Sequence, residues 1–238
     1  MNNNNPGISS ATLAGIEIFS GLSSDERKEI ATSCRGHLYK SDELILSHQD
    51  NSSDVFFVVS GLVRVTVYSS SGKEITFRDV PAGQMFGELS AIDARPRSAH
   101  VIALTASSLA FVTADGFWEI LSTYPDVTQK TFKYLTRLVR LLSDRVVEFR
   151  TLGVKNRIHA ELLRLGRDVE DDKGNAAIIP APTHSEIANR VSTHREAVTR
   201  EMGALSRQGI VRKKGNSLVI LDIDRLQKMV HEILNDMS

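Results

Sequence analysis

The chain has a single cysteine, a single tryptophan, no excess of either charge and no long apolar run among its 238 residues. Cys34 alone forms no internal disulfide, which fits a reducing compartment and points to the cytoplasm. The same scarcity excludes a multi-cysteine zinc or iron–sulfur centre within the chain. The longest apolar runs, such as Val55–Ser60, fall far short of the roughly 20 residues a membrane helix needs, so no membrane partner is expected. The Asn-rich start, Met1–Pro6, has neither the basic nor the apolar region of a signal peptide, and residues 1–10 read as a disordered tail. No nucleophile elbow, P-loop or cluster of metal-ligating residues is present, so nothing asks for an enzyme, a catalytic residue or a metal. The balance of 29 basic against 29 acidic residues argues, taken whole, against a nucleic-acid partner.

What is present is an ordinary globular composition with an uneven layout. At 41% hydrophobic and 24% charged, the chain has room for one large core or two modest ones. Between Thr183 and Lys214, Arg190, Arg195, Arg200, Arg207, Arg212, Lys213 and Lys214 stand against Glu186, Glu196 and Glu201, a local net of +4. Such a basic face matters more to a polyanion than the whole-chain sum. On that count alone, a solvated pair of charged helices is an open alternative.

Short helical patterns run from about Ala11 to Thr32, with Ser23-Ser24 before Asp25-Glu26 as a helix start. From Gly36 to Val112 the pattern changes to strands, clearest at Val55–Ser60, Val63–Val67, Glu74–Val80 and His100–Leu104. Gly61, Gly72 and Gly83 recur at hairpin corners. Many short strands with regular turns predict a sandwich or barrel-like roll. A long helix follows, opened by Pro125 and running to about Arg150. In it Phe132, Leu135, Val139, Leu142, Val146 and Phe149 alternate spacings of three and four, an a/d seam that asks for a partner helix. Leu138, Leu141 and Val147 widen the apolar face, so one edge is expected to cover the roll and the other to pair with a second copy.

After a break at Leu152-Gly153 come a helix near Lys155–Gly166, an acidic loop at Asp168–Gly174 and a short strand at Ala176–Ile179. Thr183-His-Ser-Glu186 has the capping-box form that opens a helix. A tight turn at Ser192-Thr193 and a second helix through Ala197, Val198 and Met202 complete a helix-turn-helix pattern. Ile210–Arg212, a Lys213–Asn216 turn and Leu218–Leu221 make a hairpin wing, and an amphipathic helix near Asp224–Leu234 ends the chain.

At these residues the chain resembles a known family. The run Phe86–Ala99 (Phe-Gly-Glu-Leu-Ser-Ala-Ile-Asp-Ala-Arg-Pro-Arg-Ser-Ala) looks like the phosphate-binding cassette of cyclic-nucleotide-binding domains. The segment Thr183–Arg200 looks like the reading head of the cyclic-AMP receptor protein (CRP/FNR) family. The resemblance runs from about Leu13 to Leu221 in the family's domain order. It implies an α+β chain: a cyclic-nucleotide-binding β-roll over residues 11–125, a dimerisation helix over 126–151 and a winged helix-turn-helix over 152–238. It also implies a homodimer on double-stranded DNA, with RNA polymerase as a further partner.

In the cassette, Arg97 offers a planar fork to a cyclic phosphate diester, Ser98 and backbone N–H groups beside Gly87 and Leu89 add donors, and Glu88 can accept from the ribose 2′-OH. Taken alone, Arg97 reads better as a surface salt bridge to Asp93 or Glu88; within the whole cassette it reads as the phosphate contact. The family's base contact from the long helix falls on Leu142 and Ser143 here, where the family carries a Thr-Ser pair. The resemblance makes cyclic AMP the expected effector; leucine forms no side-chain hydrogen bond, so cyclic GMP is expected to bind within about tenfold. On the second helix of the helix-turn-helix, Arg195 and Arg200 suit guanine edges and Glu196 suits a cytosine amino group. Thr193-His-Arg-Glu196 is also a capping box, a rival role for Glu196. Thr183, His194 and Lys214 stand at the family's phosphate contacts. Gly153 replaces an Asp that can cap the following helix in the cyclic-AMP receptor protein. The alternative is a regulator of the same family that answers to another small ligand or to none. A haem version would call on His48 and His100, which read more simply as surface or strand residues.

Overall fold

The structure, a computed structural model, describes residues 7–70, 72, 74–166 and 175–235. The chain divides into two compact units, residues 1–138 and 139–238, with the boundary inside the longest helix. Residues 1–6 of the expected tail and the expected acidic loop at 168–174 lie outside the described residues. The tail does not extend to residue 10. Ser9 caps helix α1 (Ser10–Ala14) in a capping box with Thr12, and Ile8 packs against the first core.

In the first unit, α1 and α2 (Ser24–Ser33) precede eight strands: β1 (Arg35–Tyr39), β2 (Leu44–Leu46), β3 (Val55–Ser60), β4 (Leu62–Tyr68), β5 (Glu74–Pro81), β6 (Met85–Phe86), β7 (His100–Ala103) and β8 (Ser107–Val112). The helix start expected at Ser23-Ser24 is where α2 opens, and Ser23 forms a capping box with Glu26. The strands form two antiparallel sheets of order β1-β8-β3-β6 and β2-β7-β4-β5. Gly61, Gly72 and Gly83 have φ of 92°, 76° and 91° and turn the chain at the corners.

β3 explains why an unbroken apolar run sits in an antiparallel roll. Its first four residues are all buried, but on two different cores. Val55 and Phe57 meet the helices, with Leu13, Phe19, Phe117 and Val127, while Phe56 and Val58 fill the space between the sheets with Val63, Phe86, Val101 and Leu109. Period-two geometry sends alternate side chains to opposite faces, so both faces must be apolar. Phe56 stacks on Phe86 at 5.1 Å and meets Phe111 at 5.4 Å. Each such ring buried contributes about 1.5–3 kcal/mol.

Between the strands lie α3 (Glu88–Asp93) and, after them, α4 (Ala114–Thr123) and α5 (Pro125–Thr151). Along α5 the expected seam divides. Leu135 and Leu138 pack against the unit's own helical core, whereas Phe132, Val139, Leu142, Val146 and Phe149 are exposed by 65, 63, 49, 57 and 40%. Val147 is exposed as well, so it does not belong to the covering edge as the sequence predicts.

The second unit holds α6 (Val154–Gly166), β9 (Ala176–Ile178), α7 (His184–Arg190), α8 (Arg195–Arg207), β10 (Val211–Lys214), β11 (Ser217–Ile220) and α9 (Ile223–Asn235). A three-stranded sheet of order β10-β11-β9 and the helices close on Ile158, Leu162, Ile187, Val198, Leu205, Ile210 and Leu226. The wing turn is two residues, Gly215-Asn216, rather than four, because Lys214 pairs with Ser217 at the end of the ladder. Gly215 at φ 57° takes the first turn position, where two-residue hairpins favour glycine.

A buried ion cluster joins three helices of this unit. Glu161 of α6 is fully buried and receives Arg145 of α5 at 3.0 Å, Arg190 of α7 at 3.4 Å and Arg164 of its own helix. Arg145 also donates to the Arg190 carbonyl at 2.8 Å, and Arg164 reaches Glu148 on α5. Each carboxylate oxygen thereby has a charge-assisted partner, the condition on which buried charge is tolerated.

Candidate ligand cassette and nucleic-acid interface

The cassette is built by a forced turn. After β6, pinned by Phe56↔Phe86 and Phe57↔Met85, the chain reverses at Gly87 with φ 82° and enters α3. A Cβ at Gly87 would stand 2.9 Å from both Arg97 Nη1 and the Asp54 carbonyl oxygen, so glycine is required by space as well as by φ. Ala94, φ 54°, ends the helix and returns the chain to Arg97.

Arg97 is 2% exposed, which replaces the surface salt bridge to Asp93 or Glu88 with a buried fork. Nη1 donates to the Gly87 carbonyl and Nη2 to the Asp54 carbonyl, each at 2.8 Å, and Nε donates to Ser52 Oγ at 3.0 Å. Its own backbone pairs with the same loop, Arg97 N–H to the Asp50 carbonyl and Gln49 N–H to the Arg97 carbonyl. Glu88, 3% exposed, stands beside it. Burial pushes the Glu88 carboxyl above the usual carboxylate range, while Arg78 and Arg97 draw it back. Leu89 and Ser98 are exposed on the cassette surface.

Two residues that sequence reasoning passed over brace this cassette. The buried Tyr134 of α5 donates its hydroxyl to the Met85 carbonyl, and Arg78 of β5 donates to that hydroxyl and to the same carbonyl. Burial raises the Tyr134 phenol, so it stays a donor. The available signal was its position, between Phe132 and Leu135 but off the a/d seam, which turns it toward the roll. Leu142 and Ser143 are both exposed on α5, with Ser143 Oγ donating to the Val139 carbonyl at 2.9 Å.

In the second unit, Thr183 caps α7 as expected, accepting from Glu186 N–H at 3.1 Å while its own N–H reaches Glu186 Oε2 at 2.8 Å. The second capping box is not formed. His194, not Thr193, is the N-cap of α8 and makes no side-chain cap bond; Thr193 is buried, its N–H given to the Ala188 carbonyl. Glu196 is therefore free of a capping role and sits in the exposed first turn. Helical periodicity buries Val198, Met202 and Leu205 and leaves Arg195, Glu196 and Arg200 exposed. His194 and Lys214 are exposed too, Lys214 at the tip of the wing. The turn between the helices is tight, with Ser192 at φ 51°. No helix among the described residues is long and apolar enough to cross a membrane.

Comparison with known proteins follows this division. Residues 37–124 match the model of the cyclic nucleotide-binding domain, and residues 156–229 match that of the Crp-like helix-turn-helix domain. A CRP-like cAMP-activated global transcriptional regulator of Mycobacterium tuberculosis is 22% identical over 217 residues, 91% of this chain and 97% of that protein. The cAMP-activated global transcriptional regulator CRP of Salmonella typhimurium is 26% identical over 188 residues, 79% of this chain and 90% of its own length. Among solved structures, a CRP/FNR-family transcriptional regulator from Thermus thermophilus is 27% identical with a TM-score of 0.66, covering 83% of this chain and 99% of the other. A CooA mutant from Carboxydothermus hydrogenoformans, at 20% identity, shares the fold with a TM-score of 0.75 over 90% of this chain and 94% of its own. Both halves carry the family's parts in the family's order, and these relatives are regulators rather than enzymes. The chain belongs to the CRP/FNR family of DNA-binding transcription regulators, with a cyclic-nucleotide-binding domain ahead of its helix-turn-helix.

Proposed function

We propose that the chain is a cyclic-AMP-responsive regulator that binds palindromic promoter DNA as a homodimer. Residues 11–125 take the ligand, 126–151 dimerise and 152–238 bind DNA. The observation that carries the reading is the buried fork of Arg97 beside Gly87 and Glu88, since a guanidinium held rigid among carbonyls is preorganised for a compact anion. Three of its five N–H groups are engaged; the other two meet the cyclic phosphate, helped by Ser98 and the backbone near Gly87 and Leu89. Glu88 takes the ribose 2′-OH.

The resemblance puts base recognition at Leu142 and Ser143, and a serine hydroxyl can donate or accept, so it favours adenine only weakly. Leu142 contributes no polar contact. One hydrogen bond of about 1–1.5 kcal/mol keeps the cyclic GMP penalty near tenfold.

On DNA, Arg195 and Arg200 read guanines and Glu196 a cytosine, while Thr183, His194 and Lys214 hold phosphates. The two-fold partner is a second copy laid along the exposed stripe of α5, whose alternating three-and-four spacing suits a parallel helix of the same sequence.

Calorimetric titration with both nucleotides, and melting with each, test the ligand. Cyclic AMP should bind and raise the melting temperature. Arg97→Lys, which keeps the charge and loses the fork, should abolish that rise. Arg97→Ala also strips two carbonyls of their donor, so its own stability must be measured alongside. No heat and no shift with either nucleotide would move the reading to a regulator of another small ligand or of none.

A further inference from the structure

His184, the first residue of α7, is half-buried and reaches across to the reading helix. Its Nδ1 lies 2.8 Å from Thr199 Oγ1, and that hydroxyl donates to the Arg195 carbonyl at 3.0 Å. A hydroxyl has one proton. With it committed to Arg195, the ring must be the donor at Nδ1, which leaves Nε2 as the atom that gains or loses a proton. The charged groups that bear on the ring are Arg195 from α8 and Lys213 from β10, both cations. On its own helix, Glu186 is turned back into the cap with Thr183.

We propose that His184 is a proton-dependent phosphate contact: DNA binding draws a proton onto its Nε2, and the Thr199 relay ties that contact to the first turn of the reading helix. This rests on the DNA-binding role of the second unit and deepens it. The physical logic is one of sign. In the protein alone, burial and the two neighbouring cations hold the ring below the ordinary histidine value. A backbone phosphate held at Thr183, beside the ring, brings the missing negative charge and favours the imidazolium. Between the two resulting pKa values the complex holds more protons than the free protein, so affinity rises as pH falls, levelling off at low pH once both states are protonated and at high pH once both are neutral. The imidazolium also fits the relay, because it keeps Nδ1–H on Thr199 and gains Nε2–H for a phosphate oxygen.

The test is fluorescence anisotropy of the full chain, with saturating cyclic AMP, on a 30-base-pair random-sequence duplex at low salt, from about pH 5.5 to 8. Random sequence separates phosphate contact from base reading. The wild type should lose roughly three- to tenfold in affinity per protomer as pH rises across this range, the limit for one group being tenfold per pH unit. His184→Asn, which keeps a donor for Thr199 but cannot titrate, should remove that part of the slope. His184→Arg, a permanent cation at the same place, should bind without that slope and more tightly than the wild type at pH 8. Equal slopes in the wild type and His184→Asn would place the proton elsewhere and overturn the proposal. A flat wild-type profile would overturn it as well. Failure of all three proteins to bind duplex at any pH would instead strike at the DNA-binding role itself.

Discussion

His159 Nε2 lies 2.7 Å from Glu201 Oε1, with the ring fully buried between α6 and the reading helix α8. Its Nδ1 is buried with no hydrogen-bond partner. An ionised Glu201 places the single proton of the neutral ring on Nε2, and a second proton would leave an unsatisfied N–H at Nδ1. Burial accordingly holds His159 below the ordinary histidine value, with Lys155 acting in the same direction and Glu201 only partly offsetting.

That depression makes the second unit acid-sensitive. A histidine with a lower pKa folded than unfolded binds more protons in the unfolded state, so stability rises with pH. The contribution is complete above the unfolded value of about 6.5 and is lost as pH falls from there toward the folded value. Urea melts between pH 5 and 8 should show this loss, and His159→Gln, which keeps a donor for Glu201 without titrating, should flatten that part of the profile. An unchanged slope in the variant would assign the acid sensitivity to other groups.

Glu161 is a carboxylate shared by Arg145, Arg164 and Arg190. Glu161→Gln leaves buried guanidinium groups without their counter-charge, and the expected cost is about 3–5 kcal/mol in chemical denaturation. Replacing three of the four together, Arg145→Met with Glu161→Leu and Arg190→Met, while Arg164 keeps Glu148, should cost much less than the sum of the single changes. Additive losses would mean the residues do not act as a cluster.

On a specific palindrome with TGTGA-like half-sites about one helical turn apart, Arg195→Ala and Arg200→Ala should each weaken binding by about 1–3 kcal/mol. Random duplex should be affected far less. Lys214→Ala should weaken both alike and reduce the salt slope by about one. Equal loss on both DNAs from Arg195→Ala would reduce that arginine to a phosphate contact.

Along α5, Val139→Glu with Val146→Glu places charge in the exposed stripe without touching the unit's own core. Sedimentation should show a dimer in the wild type and a dissociation constant raised at least about a hundredfold in the variant. A wild type that sediments as a monomer at micromolar concentration would remove the second copy from that face.

Sequence pattern locates the elements whose signal is local. β3 is legible residue for residue, as are the glycine corners, the start of α5 at Pro125, the break at Leu152-Gly153 and the Thr183 cap. β1 and β8 carry weaker signals, because Arg35–Tyr39 is mostly exposed and Ser107–Val112 begins on two serines, yet β8 lies in the interior of its sheet. α4 escapes the pattern outright, although Thr113 caps it. The wing turn reads two residues too wide because Lys213 and Lys214 look like turn residues and are strand residues. What no local pattern carries is partnership at distance. Taken without its cassette, Arg97 reads as a surface cation because the carbonyls that receive it come from residues 54 and 87, and Glu161 gathers guanidinium groups from three helices. Thr193-His-Arg-Glu196 matches a motif that the backbone does not use, since the helix opens one residue later.

β3 serves the cassette as a datum, the fixed surface from which other positions are measured. Its first four side chains are gripped from both sides, and a slip of one residue would exchange Phe56 with Phe57 between two unlike cores. The strand therefore does not slide, and the Asp54 carbonyl at its leading end is held in place, with Arg97 Nη2 set against it. The placement of the Arg97 fork is thus inherited from a wall of side chains that the guanidinium itself does not contact through hydrogen bonds. Trimming Phe57, which faces the helices and not the interior of the roll, should blur the alignment of Arg97 as well as loosen the core.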